Sequence, residues 1–316
     1  MIENIAIIVL AFLTQLNVAS DGNGIDHMLD QFIETESINE YLSNDNWDAY
    51  RNISEGQEQI SPLPYKVSDD EIEINSDSAI AFDVGTDYVL YSKDVKKKLP
   101  IASLSKIVTA LVVLEKSDLN DVVTISRSAF EVPGKKERLF VGEKITVDNL
   151  LKMMLVSSNN IAASALGEHS GGDIESFIEL MNQKVEFLGL EDTVFYNPTG
   201  LDQKDVNVST AYDVAQLVDY ALEEPIIWEY SRIKDVKISS LDGRTNHWVK
   251  NTNQLLGKLE DVVGGKTGFT DIAGQCLVLI TNNSSDNQVI TVVLNAEDRF
   301  LQTQRLKNWI WKNYQW

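Results

Sequence analysis

A serine followed three residues later by a lysine, Ser103-Leu-Ser-Lys106, puts a weak nucleophile and a base one helical turn apart if the segment is helical. A serine hydroxyl attacks only when a neighbouring group takes its proton, and an amine can do so only while partly neutral. Burial favours the neutral amine, and so does a second cation close by. Lys266, in Lys266-Thr-Gly268, is the candidate second cation. A helix start adds backbone N–H groups that favour developing negative charge. Between these stretches lies Ser157-Ser-Asn159, a source of one hydroxyl and one amide. Each stretch alone has a plainer explanation: an exposed helix start with a solvated lysine, or ordinary capping by Ser and Asn. The three in this order fit nucleophilic catalysis by Ser103.

The surrounding pattern supplies elements to hold them. Leu104, Ile107, Val108, Leu111 and Val112 form an apolar helical stripe just after Pro100. Val147, Leu150, Leu151 and Met154 repeat it behind Thr146 as a candidate N-cap. Ser157 and Asn159 then fall between two helical segments, where a connection can project side chains into a cleft. Lys266 follows Val262-Val-Gly-Gly265 on a predicted strand, and glycine there lets a second backbone approach, as an extended substrate requires. Further helices are predicted over 174–188, closed by Gly189, over 212–222 and over 299–311. Strands are predicted over 79–83 and 88–91 as a hairpin, over 236–239 and 245–249 around Asp242-Gly243, and over 262–268, 275–281 and 289–294. Strands at both ends with helices between them predict an α+β domain rather than alternating βαβ units.

Composition excludes several classes. A net charge of −21 with a pI near 4.5 argues against a nucleic-acid partner, which needs clustered Lys and Arg. Cys276 is the single cysteine, so neither an intrachain disulfide nor a thiolate metal cluster can form; in Gln275-Cys-Leu-Val-Leu-Ile280 it reads as a buried apolar residue. His27, His169 and His247 have no metal-type spacing, and no metal or cofactor is expected. A P-loop would need glycine at position 260, which is Glu260.

Residues 1–20 carry the apolar run Ile5–Leu13, too short to span a bilayer comfortably and suited to a signal peptide or an N-terminal anchor. Asn17-Val-Ala-Ser20 supplies small residues for cleavage, although no basic residue precedes the run. Residues 21–77 hold fifteen acidic residues against Arg51 and Lys66, and are expected to be an acidic spacer with one or two short helices. The catalytic domain is expected over 78–316, with no β-rich domain after it.

From about Ser78 to Trp311 the chain resembles the serine-type D-Ala-D-Ala carboxypeptidases, the low-molecular-weight penicillin-binding proteins of the peptidase S11 family. The resemblance rests on Leu99–Ala110, Leu188-Gly-Leu190, Asn197-Pro-Thr-Gly-Leu201, Asn251-Thr-Asn253 and above all Gly265–Gly274, besides the three motifs. It implies a β-lactamase/transpeptidase-like fold, an antiparallel sheet packed with a helical subdomain. It also implies roles: Ser103 as nucleophile, Lys106 as its base, Ser157 as proton relay, and Asn159 holding the substrate's amide. Lys266, Thr267 and Gly268 would bind the terminal carboxylate, with Arg299 as a further candidate. The backbone N–H groups of Ser103 and Phe269 would form the oxyanion hole. Peptidoglycan stem peptides would be the substrate, β-lactams covalent inhibitors, and the cell envelope outside the cytoplasmic membrane the place of action, with membrane association through the N-terminus. Ser158 and Asn160 stand where the family often has Gly and Asp. A DD-endopeptidase and a non-hydrolytic wall-binding module are the alternatives; a class A β-lactamase is disfavoured because no Glu-x-x-x-Asn segment lies between the second and third motifs.

Overall fold

The computed structural model describes residues 63–133, 139–202, 204–283 and 285–316. The chain divides into two units, Met1–Ile60 and Ser61–Trp316, and all described residues belong to the second. The expected leader and the acidic stretch up to residue 62 lie outside the described residues.

Five antiparallel strands make the main sheet: β1 (Ser76–Asp83), β2 (Val89–Lys93), β3 (Val262–Thr270), β4 (Gly274–Asn282) and β5 (Gln288–Ala296). Their order is β3-β4-β5-β1-β2, so the N-terminal hairpin pairs with the C-terminal strands, with Ile80 opposite Val292. The helices are α1 (Lys106–Lys116), α2 (Arg127–Glu131), α3 (Val147–Val156), α4 (Asn160–Gly171), α5 (Ile174–Phe187), α6 (Ala211–Ala221), α7 (Pro225–Ser231) and α8 (Arg299–Asn313). This is the expected α+β architecture.

Strand periodicity explains how the sheet is covered. Ile80, Phe82, Val278, Ile290 and Val292 join Leu104, Ile107 and Leu111 in one large apolar cluster. The intervening Ala79, Ala81, Val289 and Val293 meet Leu306 and Ile310 of α8 on the other face. Each fully buried Leu or Ile contributes about 1.5–3 kcal/mol relative to exposure. Thr146 caps α3 as predicted, its side chain accepting from Asn149 N–H. The strands Asp235–Ser239 and Asn246–Lys250 form the second predicted hairpin. No helix among the described residues is long and apolar enough to cross a membrane.

The folded body starts earlier than Ser78. Tyr65–Lys66 pairs antiparallel with Tyr314–Gln315, Val67 N–H donates to Asn313 C=O at 2.8 Å, and Trp309 Nε1 donates to Asp70 C=O at 3.1 Å. Ile74 is fully buried against the α8 face of the sheet. The spacer expected to run to residue 77 therefore gives way to packed structure within its last fifteen residues, 63–77. Acidic composition averaged over a long window hid Ile72 and Ile74, whose alternation with acidic residues is a strand-like pattern.

Candidate active site

Ser103 sits in a single 3₁₀ turn, Ala102–Ser105, that leads directly into α1. The turn is bent by Ala102, which has φ +47°. A left-handed alanine costs roughly 1–2 kcal/mol and persists only where its surroundings hold it. Two glycines permit that. A Cβ on Gly200 (φ +74°) would lie 1.9 Å from Ala102 O, and one on Gly268 would lie 2.8 Å from Ile101 O and 3.3 Å from Ser103 N. The loop at 197–201 and the edge strand β3 can thus close on the serine from two sides.

Lys106 opens α1 and is entirely buried. Its Nζ lies 2.9 Å from Ser103 Oγ and 2.8 Å from Asn160 Oδ1, and donates to Thr199 C=O. Burial holds this amine well below the ordinary lysine range, and the nearby Lys266 charge pushes it the same way. Lys266 is buried too. Its Nζ donates to Ser158 Oγ at 2.8 Å and to Thr267 C=O at 2.9 Å, and burial, then Arg299, lowers its pKa to about 7. For both amines burial is the larger cause of the shift, ahead of the neighbouring cation.

In the second motif the side chains bonded to the two lysines are not those of Ser157 and Asn159. Ser157 is the C-terminal cap residue of α3, and its Oγ donates back to Met153 C=O at 3.0 Å. Asn159 is the N-cap of α4, its Oδ1 accepting from Ala162 N–H at 2.9 Å. The side chains that reach the two lysines belong to Ser158 and Asn160. Ser158 has φ +63°, and this left-handed residue reverses the chain between the helices. Asn160 bridges outward as well, its Nδ2 donating to Pro133 C=O at 2.9 Å. Ser157-Ser-Asn-Asn160 contains two overlapping Ser-x-Asn frames, so the ambiguity was visible in the string. Which frame reaches the cleft depends on where α3 ends and α4 begins.

On β3, Lys266, Thr267 and Gly268 stand opposite Val278, Leu277 and Cys276. Thr267 is buried, and its Oγ1 lies 2.6 Å from Thr252 Oγ1. Phe269 exposes its ring beyond the glycine. Arg299, the first residue of α8, donates through Nη1 to Gly268 C=O at 2.6 Å, while its Nε is buried with no partner among the described residues. Cys276 is buried and free, and burial pushes its thiol up to about 11.

One participant was not singled out from sequence: the Thr199 carbonyl, which accepts from Lys106 and lies 3.4 Å from Ser103 Oγ. Asn197 Oδ1 shapes that turn by accepting from the N–H groups of Thr199 (3.1 Å) and Gly200 (2.7 Å). Asn207 Nδ2 ties it to the serine turn through Ser105 Oγ at 2.9 Å and Asn197 C=O at 2.8 Å. Asn197-Pro-Thr-Gly carries part of the resemblance, but a backbone carbonyl leaves no residue-type signal.

Comparison with known proteins bears on this arrangement. The family model described as D-alanyl-D-alanine carboxypeptidase (peptidase S11) matches residues 65–298. A D-alanyl-D-alanine endopeptidase of Pseudomonas aeruginosa is 35% identical over 243 residues, covering 75% of this chain and 78% of its own. The D-alanyl-D-alanine carboxypeptidase DacF of Bacillus subtilis is 32% identical over 254 residues, covering 78% of this chain and 64% of its own. Among solved structures, penicillin-binding protein D2 of Listeria monocytogenes in its cefotaxime-bound form is similar at TM-score 0.67 with 28% identity, covering 77% of this chain and 99% of that one.

Proposed function

The chain belongs to the D-alanyl-D-alanine carboxypeptidase family, and from that membership we propose a serine DD-carboxypeptidase that removes the terminal D-alanine from peptidoglycan stem peptides. The observation that carries this reading is the buried Lys106 amine, 2.9 Å from Ser103 Oγ. Burial lowers the pKa of this amine, and in its neutral form it accepts the serine proton as Oγ attacks the carbonyl of the penultimate D-alanine. The oxyanion is stabilised by the N–H groups of Ser103 and Phe269. Ser158, bonded to Lys266, relays a proton to the leaving nitrogen, and Asn160 holds both Lys106 and the substrate's amide. Thr267, Lys266 and Arg299 bind the terminal carboxylate. Water then releases the acyl group from Ser103. The roles first expected for Ser157 and Asn159 thus pass to Ser158 and Asn160.

A second reading, DD-endopeptidase action on cross-links, is favoured by the name of the Pseudomonas aeruginosa relative. The same acyl-enzyme serves both reactions, and only the leaving amine differs. Assaying D-alanine release from a stem pentapeptide beside cleavage of a cross-linked muropeptide dimer separates them. Labelling by penicillin without turnover of either substrate would instead favour a non-hydrolytic module. Ser103→Ala should abolish labelling, and a penicilloyl adduct found on another residue would overturn the nucleophile.

A peptidoglycan substrate places the activity in the cell envelope. Action outside the cytoplasmic membrane requires export, for which Ile5–Leu13 is the candidate segment, cleaved or kept as an anchor. Fractionating cells and sequencing the N-terminus of the active protein tests this; active protein in the cytosol with Met1 intact would refute it.

A further inference from the structure

Thr252 lies outside the three motifs, yet its hydroxyl is 2.6 Å from that of Thr267. Among the described residues this is the one hydrogen bond either side chain makes. Each hydroxyl carries a single proton, so a bonded pair uses one and leaves the other over. If Thr267 donates to Thr252, Thr267 offers an approaching anion only lone pairs. If Thr252 donates, the proton of Thr267 is free. The direction of this one bond therefore decides whether Thr267 can donate to an anion.

The backbone around Thr252 is fixed for that task. Thr252 N–H donates to Val156 C=O at 3.1 Å, next to the turn that carries Ser158. On one side Asn251 Nδ2 donates to Ser231 C=O (2.8 Å) and Ile233 C=O (2.7 Å). On the other, Asn251 Oδ1 accepts from Asn253 N–H at 2.8 Å, and Asn253 Oδ1 accepts from Leu255 N–H at 3.0 Å. The two amides clamp the backbone; Asn253 Nδ2 lies against Gly265 of β3 without a hydrogen bond among the described residues, and the Thr252 hydroxyl is the group of 251–253 that bonds a β3 side chain.

We propose that Thr252 is a positioning residue: it donates to Thr267 Oγ1 and so turns the Thr267 proton toward the substrate's terminal carboxylate. A hydroxyl that accepts one bond becomes a better donor in the next, so the pair acts as a short polarised chain. Thr252 itself touches no reacting atom. The inference rests on the proposed role of Thr267 in carboxylate binding.

Steady-state kinetics of the full chain on a D-Ala-D-Ala peptide, with Thr252→Val, Thr252→Ser, Thr267→Val and the double Val variant, test it. A hydroxyl–carboxylate bond is charge-assisted, so Thr267→Val should raise KM about tenfold. Thr252→Val should raise KM severalfold with kcat within about twofold, Thr252→Ser should restore it, and the second Val should add little once Thr267 is Val. A packing role for Thr252 would instead lower the thermal midpoint and persist in the Thr267→Val background, which overturns the proposal. So does a wild-type KM for Thr252→Val when Thr267→Val is impaired, with the carboxylate role left standing. An unimpaired Thr267→Val removes that role and this inference together.

Discussion

The two walls of the cleft are built on different plans. In the turn between α3 and α4, structure and chemistry alternate along the chain: Ser157 and Asn159 cap helices, while Ser158 and Asn160 meet the two lysines. On β3 the two duties fall on the same residues. Lys266 is a buried member of the sheet as well as a cation of the site, and Gly268 is at once a strand residue and the contact surface of the serine turn. A turn can divide its labour because each of its residues points its own way. A strand next to a nucleophile cannot, since its register is locked by pairing with β4.

That contrast can be broken first in the turn. Ser158→Ala and Asn160→Ala should each slow acylation by penicillin on the order of 10²–10³-fold, the scale of losing a preorganised group, with little change in thermal midpoint. Ser157→Ala and Asn159→Ala should do the reverse, costing about 1 kcal/mol of stability with acylation within a few-fold of wild type. A large rate loss in Ser157→Ala would restore the other frame.

On the strand, stability and rate should fall together. Gly268→Ala places a methyl 2.8 Å from Ile101 O. The expected cost is about 1–3 kcal/mol in denaturant unfolding, with roughly tenfold or more lost in kcat/KM as the serine turn shifts. Loss of activity with an unchanged midpoint would show that Gly268 serves chemistry alone.

A third test concerns pH. Lys266 titrates near 7 in the folded chain and at its ordinary 10.5 when unfolded. Between those values the unfolded chain holds a proton that the folded chain has lost, so stability rises with pH across that window. Below about pH 7 both states are protonated, and the full penalty of the buried charge remains. Lys266→Met should flatten the rise in unfolding free energy between about pH 7 and 10. An unchanged slope would mean that Lys266 is not the group responsible.

Legibility followed the same division. The hairpin at 76–93, the cap at Thr146 and the three strands after residue 262 could be read because each has its own period or capping chemistry. The Tyr65–Lys66 pairing could not, because its partners lie more than 200 residues away, and Ile74 could not because the composition around it is acidic. In the site, Ser103, Lys106 and Lys266 were legible as residue types at fixed offsets. The Thr199 carbonyl was not, having no side chain to announce it.

The sequence alone therefore determined which chemical groups are present, their order and the α+β pattern of strands on either side of a helical block. It determined Ser103 with Lys106, since an offset of three is set by local helical geometry. Only the tertiary structure shows which of the frames Ser157-Ser-Asn159 and Ser158-Asn-Asn160 bonds the lysines: Ser158 Oγ meets Lys266 and Asn160 Oδ1 meets Lys106. Both frames satisfy the same pattern, and rotation by one residue in a turn bounded by two helices exchanges capping groups for cleft groups. Tertiary packing also lowered the pKa of both lysines: an amine held below its ordinary range is a property of burial, which belongs to the assembled fold.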